Sequence, residues 1–289
     1  MKATGSTILG FALGLCLLAN AGCRRLTPET DAGDNNASTV SPSAAATVKE
    51  ALPFGNPSDA TADPANADNY LLVHDSHVLS YNNSRGTANW VAWRTTRADL
   101  GEALPRNNFE PDRSLPNGFR RIAYYDYSGS GYDRGHLIPS ADRFSNPKLN
   151  EQTFLMTNIV PQTGDLNQFP WNKLESYSRG LVRRGFTLYT LAGVYGEKGR
   201  IRGKVTVPTS CWKVIAVFAR GTLEIDASTR IIAVDMPNDD GIADIRWETY
   251  KTTVRSIEER TGLDLFDLLP RGMQDQIETR IDPNTLHSP

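Results

Sequence analysis

Between Tyr132 and Glu175 the chain sets Arg134 beside His136 with Gly135 between them, then places Asn167 and Glu175 eight positions apart. Those side chains suit hydrolysis of a phosphodiester. Water is a poor nucleophile and the diester is anionic, so a site needs a neutral base for the water's proton and positive charge for the transition state. Imidazole titrates at about 6.5 and is mostly neutral at pH 7, which qualifies His136 as the base. Mg²⁺ can supply the charge, because it takes oxygen ligands, keeps several waters and needs only one or two protein contacts. Asn167 offers an amide oxygen for direct ligation, and Glu175 a carboxylate to hold the ion's waters. Arg134 and a second upstream arginine can clamp phosphate oxygens with the guanidinium fork.

The surrounding elements must bring these groups together. Tyr70 to Tyr81 and Trp90 to Thr96 are rich in aromatic and β-branched residues, and the turn cluster at 82–86 between them predicts a hairpin. His74 and His77 fall in its first strand, three apart and therefore on opposite faces, as ordinary strand residues rather than a metal pair. Residues 97–131 are loop-rich, and Ser128-Gly129-Ser130-Gly131 gives a pliable entry to the motif, in which Gly135 lets the backbone bend. Phe154 to Val160 reads as a buried strand, followed by a turn over 161–167 and a helix with Pro170 in its first turn. Trp171, Leu174, Tyr177 and Leu181 make its apolar stripe, and two turns separate Asn167 from Glu175. The competing role for Glu175 is an ion pair with Arg179 at i+4. Further strands are predicted at 186–194, 204–207, 212–219 and 230–236, and a helix at 245–260 stopped by Gly262.

Asp133-Arg134-Gly135-His136, Asn158-Ile159-Val160-Pro161-Gln162, Asn167-Gln168 and Trp171-Asn172-Lys173-Leu174-Glu175 together resemble the DNA/RNA non-specific endonuclease family. Asn89-Trp90-Val91-Ala92-Trp93, Arg106-Asn107-Asn108-Phe109, Val207-Pro208-Thr209 with Trp212-Lys213, and Thr261-Gly262-Leu263 extend the likeness over roughly residues 68–270. The resemblance implies an α+β fold of the ββα-metal (His-Me finger) type with a mostly antiparallel central sheet, in which two strands and a helix pinch one Mg²⁺, with Mn²⁺ as a substitute. It implies His136 as general base, Asn167 as direct metal ligand, Glu175 as anchor of metal-bound water, and Arg106 as stabiliser of the transition state. Arg134 would contact phosphate or order the site, and Asp133 would hold the finger's loop. Family members cut DNA and RNA and leave 5′-phosphate ends.

The chain has 289 residues, 39% hydrophobic and 22% charged, enough for one sizeable core. From Asp68 onward 27 Lys and Arg balance 27 Asp and Glu, so binding nucleic acid requires a local basic groove rather than net charge. Arg106, Arg120, Arg121, Arg134, Lys173, Arg183 and Arg184 are candidates for it, each with a solvated surface as the alternative. A binding protein with a dead site is disfavoured because all four catalytic residues are present. A surface protein that hands DNA to other machinery stays open. A Ser or Cys hydrolase lacks a nucleophile elbow.

The N-terminus predicts export from a bacterial cytoplasm. Lys2 precedes an apolar run from Ile8 to Leu18, shorter than the roughly 20 residues that cross a bilayer. Ala19-Asn20-Ala21 fits signal cleavage, giving a periplasmic or secreted soluble protein. Ala21-Gly22-Cys23 resembles a lipobox, although Asn20 stands where Leu is usual, and this membrane-anchored lipoprotein reading is the favoured one, with Cys23 lipidated. The expected organisation is a signal at 1–22, a disordered, flexible tether at 23–66, the nuclease domain at 67–275 and a polar tail at 276–289. Cys211 is expected to be a buried free thiol, with a bridge to Cys23 as the alternative.

Overall fold

The computed structural model describes residues 48–102 and 108–284. Its centre is a seven-stranded sheet in the order β1-β2-β3-β6-β9-β10-β11, antiparallel throughout. The strands are β1 (Tyr70–Val73), β2 (Val78–Asn82), β3 (Thr87–Thr95), β6 (Thr187–Tyr195), β9 (Ser210–Phe218), β10 (Arg230–Pro237) and β11 (Lys251–Thr252). Two small antiparallel pairs stand apart from it: β4 (Asp133–His136) with β5 (Ile159–Gln162), and β7 (Gly199–Ile201) with β8 (Val205–Val207).

Strand alternation builds a core on each face of the sheet. Val91 and Trp93 of β3 and Cys211, Ile215 and Val217 of β9 join one core, together with Trp171, Leu174 and Leu181. Trp90 and Ala92, with Trp212, Val214, Ala216 and Phe218, join the other. The helix α2 (Asn172–Arg183) therefore covers the first face, while the C-terminal helices α3 (Val254–Thr261) and α4 (Arg271–Glu278) contribute Val254, Ile257 and Ile277 to the second. A short helix α1 (Pro147–Gln152) lies between β4 and β5, with Asn146 accepting from the amides of Lys148 and Leu149 at its N-terminus. The expected α+β architecture is what the chain adopts, and the strands predicted at 186–194, 204–207, 212–219 and 230–236 appear as β6, β8, β9 and β10, each shifted by a residue or two.

Other expectations are corrected. The span from Tyr70 to Tyr81 is two strands, because residues 74–77 form a tight turn closed by His74 N–H to the carbonyl of His77 at 2.9 Å. His74 and His77 are thus not strand residues on opposite faces; their rings are 5.0 Å apart. Residues 156–158 form a 3-10 turn rather than strand, since the Asn158 side chain is drawn into bonds with Ile138 N, Ile138 O and Thr153 O. The helix predicted from 245 begins only at Val254: Lys251 and Thr252 pair with β10, and Thr253 Oγ1 then caps α3 by accepting from Ser256 N at 3.1 Å. Gly262 ends that helix in the left-handed region at φ 73°.

Packing also extends past 67–275 at both ends. The packed chain starts by residue 48, not 67, because Leu52 and Phe54 are buried and Phe54 meets the rings of Tyr189, Phe218 and Phe266. In the sequence these apolar residues stand isolated within a polar stretch. At the other end Asp282 is buried and receives Arg230 and Lys251, each at 2.9 Å, so the chain is packed to there rather than polar and peripheral from 276. The signal segment and Cys23 lie outside the described residues.

Candidate active site

The motif Asp133-Arg134-Gly135-His136 is strand β4 itself, paired in register with β5 from Asp133↔Gln162 to His136↔Ile159. Gly135 does not bend the backbone, contrary to expectation. A Cβ there would sit 2.0 Å from Oε1 of Gln162, a fully buried residue, so glycine is required by close packing of the two strands. After β5 the chain makes one helical turn (Gly164–Leu166), a π-turn (Asn167–Trp171), and continues as α2. Pro170 lies inside the π-turn rather than at a helix start; it has no N–H to donate, and the wider turn absorbs that loss. The two strands and this helix are the ββα unit.

His136 sits against aromatic rings. Its imidazole centroid is 5.0 Å from Phe154 and 5.5 Å from Phe109, and Nε2 is buried with no hydrogen-bond partner among the described residues. Burial pushes its pKa down to about 4, so the ring is neutral at physiological pH. The backbone of His136 is fixed by Trp171, whose Nε1 donates to its carbonyl oxygen at 3.2 Å.

Asn167 is held by Asp133. The carboxylate oxygen Oδ2 accepts from Asn167 Nδ2 at 3.0 Å and from Gln168 Nε2 at 2.9 Å, which turns the amide oxygen of Asn167 away from the carboxylate. Arg134 donates through Nε and Nη2 to the carbonyl of Tyr124 at 3.1 and 2.9 Å, and its guanidinium lies 5.6 Å from the centre of the Phe109 ring. Arg106 lies outside the described residues.

Glu175 is part of a four-charge network that the sequence showed only in part. Lys213 Nζ is 3.3 Å from Glu175 Oε1, Arg179 Nη1 is 3.9 Å from Oε2, and the same Nη1 is 3.6 Å from Asp142 Oδ1. The i+4 pair with Arg179 thus exists, as one edge of a largely buried cluster. Asp142 is itself anchored by Trp93 Nε1 at 3.0 Å and Thr95 Oγ1 at 3.1 Å. Lys213, in the middle of β9, is 2% exposed along its side chain and lies 4.1 Å from the Trp171 ring centre and 5.6 Å from that of Trp93. Burial raises the pKa of Glu175 and lowers that of Lys213, and the attraction among the four charges opposes both shifts. Lys213 and Asp142 were missed as site residues; a lone lysine inside the apolar run Cys211 to Phe218 was the available signal.

Among the other cations proposed for a basic groove, Arg120 and Arg121 are taken up locally. Arg120 donates to the carbonyls of Ser84 and Lys204, and Arg121 to that of Leu115. Lys173 is exposed over Phe169, and Arg183 and Arg184 are exposed. Cys211 is a buried free thiol, its pKa pushed up to about 12 by burial.

A sequence model of the DNA/RNA non-specific endonucleases matches residues 55–272. The chain belongs to that family. It is 47% identical over 235 residues to a protein called Nuclease from Nostoc sp., covering 80% of this chain and 85% of that one. It is 34% identical to human mitochondrial Endonuclease G, covering 67% and 68%. A crystal structure of an EndoG/EndoGI complex aligns with TM-score 0.65 and 25% identity over 81% of this chain and 95% of that one. The chain is accordingly a metal-dependent endonuclease of the ββα-metal fold, hydrolysing phosphodiester bonds. The residues present fit a hard cation in that they offer oxygen donors: the amide oxygen of Asn167, oriented by Asp133, and the carboxylate of Glu175 two helical turns on.

Proposed function

We propose that this endonuclease is exported, uses Mg²⁺, and cuts both DNA and RNA to 5′-phosphate ends with His136 as general base. The observation that carries the reading is His136 itself, a neutral imidazole whose buried Nε2 has no hydrogen-bond partner among the described residues, on the same finger as the oriented amide of Asn167. Mg²⁺, held directly by Asn167 Oδ1 and through water by Glu175, would supply positive charge to the diester. The imidazole of His136 accepts the proton of the attacking water, and the aromatic walls keep it unprotonated until then. Trp171 fixes the base by holding its carbonyl, and Asp133 fixes Asn167. Burial raises the pKa of Glu175, and the charges of Lys213 and Arg179 oppose that rise. Arg106 is assigned the leaving-group charge.

Export rests on the positively charged start, the apolar run Ile8 to Leu18 and the small residues before Cys23. Lipid attachment at Cys23 would anchor the protein to a membrane, and mass spectrometry of the mature N-terminus reads it directly.

The test is incubation of the full mature chain with supercoiled plasmid and with RNA, in Mg²⁺ or in EDTA. Degradation of both, stopped by EDTA and restored by Mg²⁺, is expected. Substrates bound but left intact with every divalent metal would overturn the reading in favour of a binding protein.

A further inference from the structure

Two tyrosines project from the fold beside the finger. Tyr124 and Tyr125 are 53% and 56% exposed, and their rings meet edge to face with centroids 5.6 Å apart. Rings of that size contribute most when buried, so an exposed pair on a fixed turn points to a partner. The turn is firmly held. Asp126 accepts from Ala123 N at 2.9 Å and pairs with Lys204 at 2.7 Å, and Tyr127 beside it is buried.

The same turn is tied to the catalytic strand. Arg134 grips the Tyr124 carbonyl with two nitrogens, lies over Phe109, and Phe109 in turn packs on the His136 imidazole. Two side chains, Arg134 and Phe109, thus stand between the backbone of this turn and the imidazole of His136. On the helix side Phe169, two residues after Asn167 and 38% exposed, carries Lys173 over its ring at 5.9 Å. Phe169 thus couples an exposed aromatic face with a cation, the combination that holds a nucleobase by stacking and its phosphate by charge, and on the other flank Arg134 bonds the backbone of the turn that presents the two tyrosines.

We propose that Tyr124 and Tyr125 form a stacking platform for unpaired nucleobases adjacent to the scissile phosphate. This rests on the nuclease reading above and adds a substrate preference to it. In a duplex the base faces are covered by their neighbours, so the platform favours single-stranded or locally opened nucleic acid.

The experiment compares full-length wild type, the Tyr124→Ala/Tyr125→Ala double variant and the Tyr124→Phe/Tyr125→Phe variant on three substrates. These are a single-stranded DNA oligonucleotide, the same sequence as a duplex, and an abasic oligonucleotide of equal length built on tetrahydrofuran nucleotides. The alanine variant is expected to raise KM for the single strand about tenfold or more, because the base stacks it removes contribute directly to binding. Its KM on the abasic strand should match wild type, and the phenylalanine variant should restore the single-strand value. Unchanged KM on the single strand overturns the platform. So does an equal loss on all three substrates, which would mean a disturbed finger. Wild type that cleaves none of them overturns the nuclease reading, and the platform with it.

Discussion

Lys213 Nζ stands 3.3 Å from Glu175 Oε1, with the Trp171 ring centre 4.1 Å from the ammonium. Trp171 also holds the carbonyl of His136, so one indole joins the strand that carries the base to the ion pair that fixes the carboxylate. The sheet and the ββα unit are coupled at this point.

Lys213→Met shortens the side chain by one heavy atom and removes its charge. Leaving Glu175 buried beside Arg179 alone should cost about 3 kcal/mol of stability. Glu175→Gln in the same chain should recover a large part of that, because the orphaned charge is gone. Urea unfolding of the four members of the cycle measures the coupling, and simple additivity would show that the pair is not energetically linked.

Asp133→Ala should weaken metal binding without removing a ligand. Its carboxylate fixes which end of the Asn167 amide faces the site, and loss of such a support typically lowers metal affinity about 10–100-fold. The Mg²⁺ concentration giving half-maximal cleavage should rise accordingly. An unchanged value would mean that Asn167 is oriented by something else.

Acid should destabilise the fold through His77. His77 is buried against His74, Arg143, Asp112 and Ser76; burial chiefly, then the charges of His74 and Arg143, holds its pKa well below the ordinary value, with Asp112 opposing. The unfolded chain takes up a proton on His77 near pH 6.5 that the native chain refuses, so stability is full above that pH and falls as pH drops below it. The slope is about 1.4 kcal/mol per pH unit for this one group. His77→Asn, which can still bond Ser76, should flatten the loss between pH 6.5 and 5 in chemical unfolding. Equal slopes in both proteins would rule His77 out.

What could be read from the sequence was local. The finger, the helix stripe of Trp171, Leu174 and Leu181, and the spacing of Asn167 and Glu175 all follow from patterns within a few dozen residues. Asp142, Arg179 and Lys213 come from a 3-10 turn, a helix and a strand, and only the sheet order that seats β9 beneath α2 brings them together. The reason for Gly135 was invisible because it depends on Gln162 across the pair rather than on its own φ. The His74–His77 turn was hidden because Asp75-Ser76 lacks the glycine or proline that usually announces one. Phe54 reads as an isolated ring in a polar stretch until Tyr189, Phe218 and Phe266 surround it.

The measurement that bears most directly on the mechanism is the cleavage rate of His136→Ala with saturating Mg²⁺, beside its thermal unfolding. The fold should persist, since Trp171 bonds the backbone carbonyl and not the ring. Turnover should fall by about a hundredfold or more, the contribution of a positioned general base. A folded variant that keeps more than about a tenth of wild-type activity would contradict the assignment of His136 as the base.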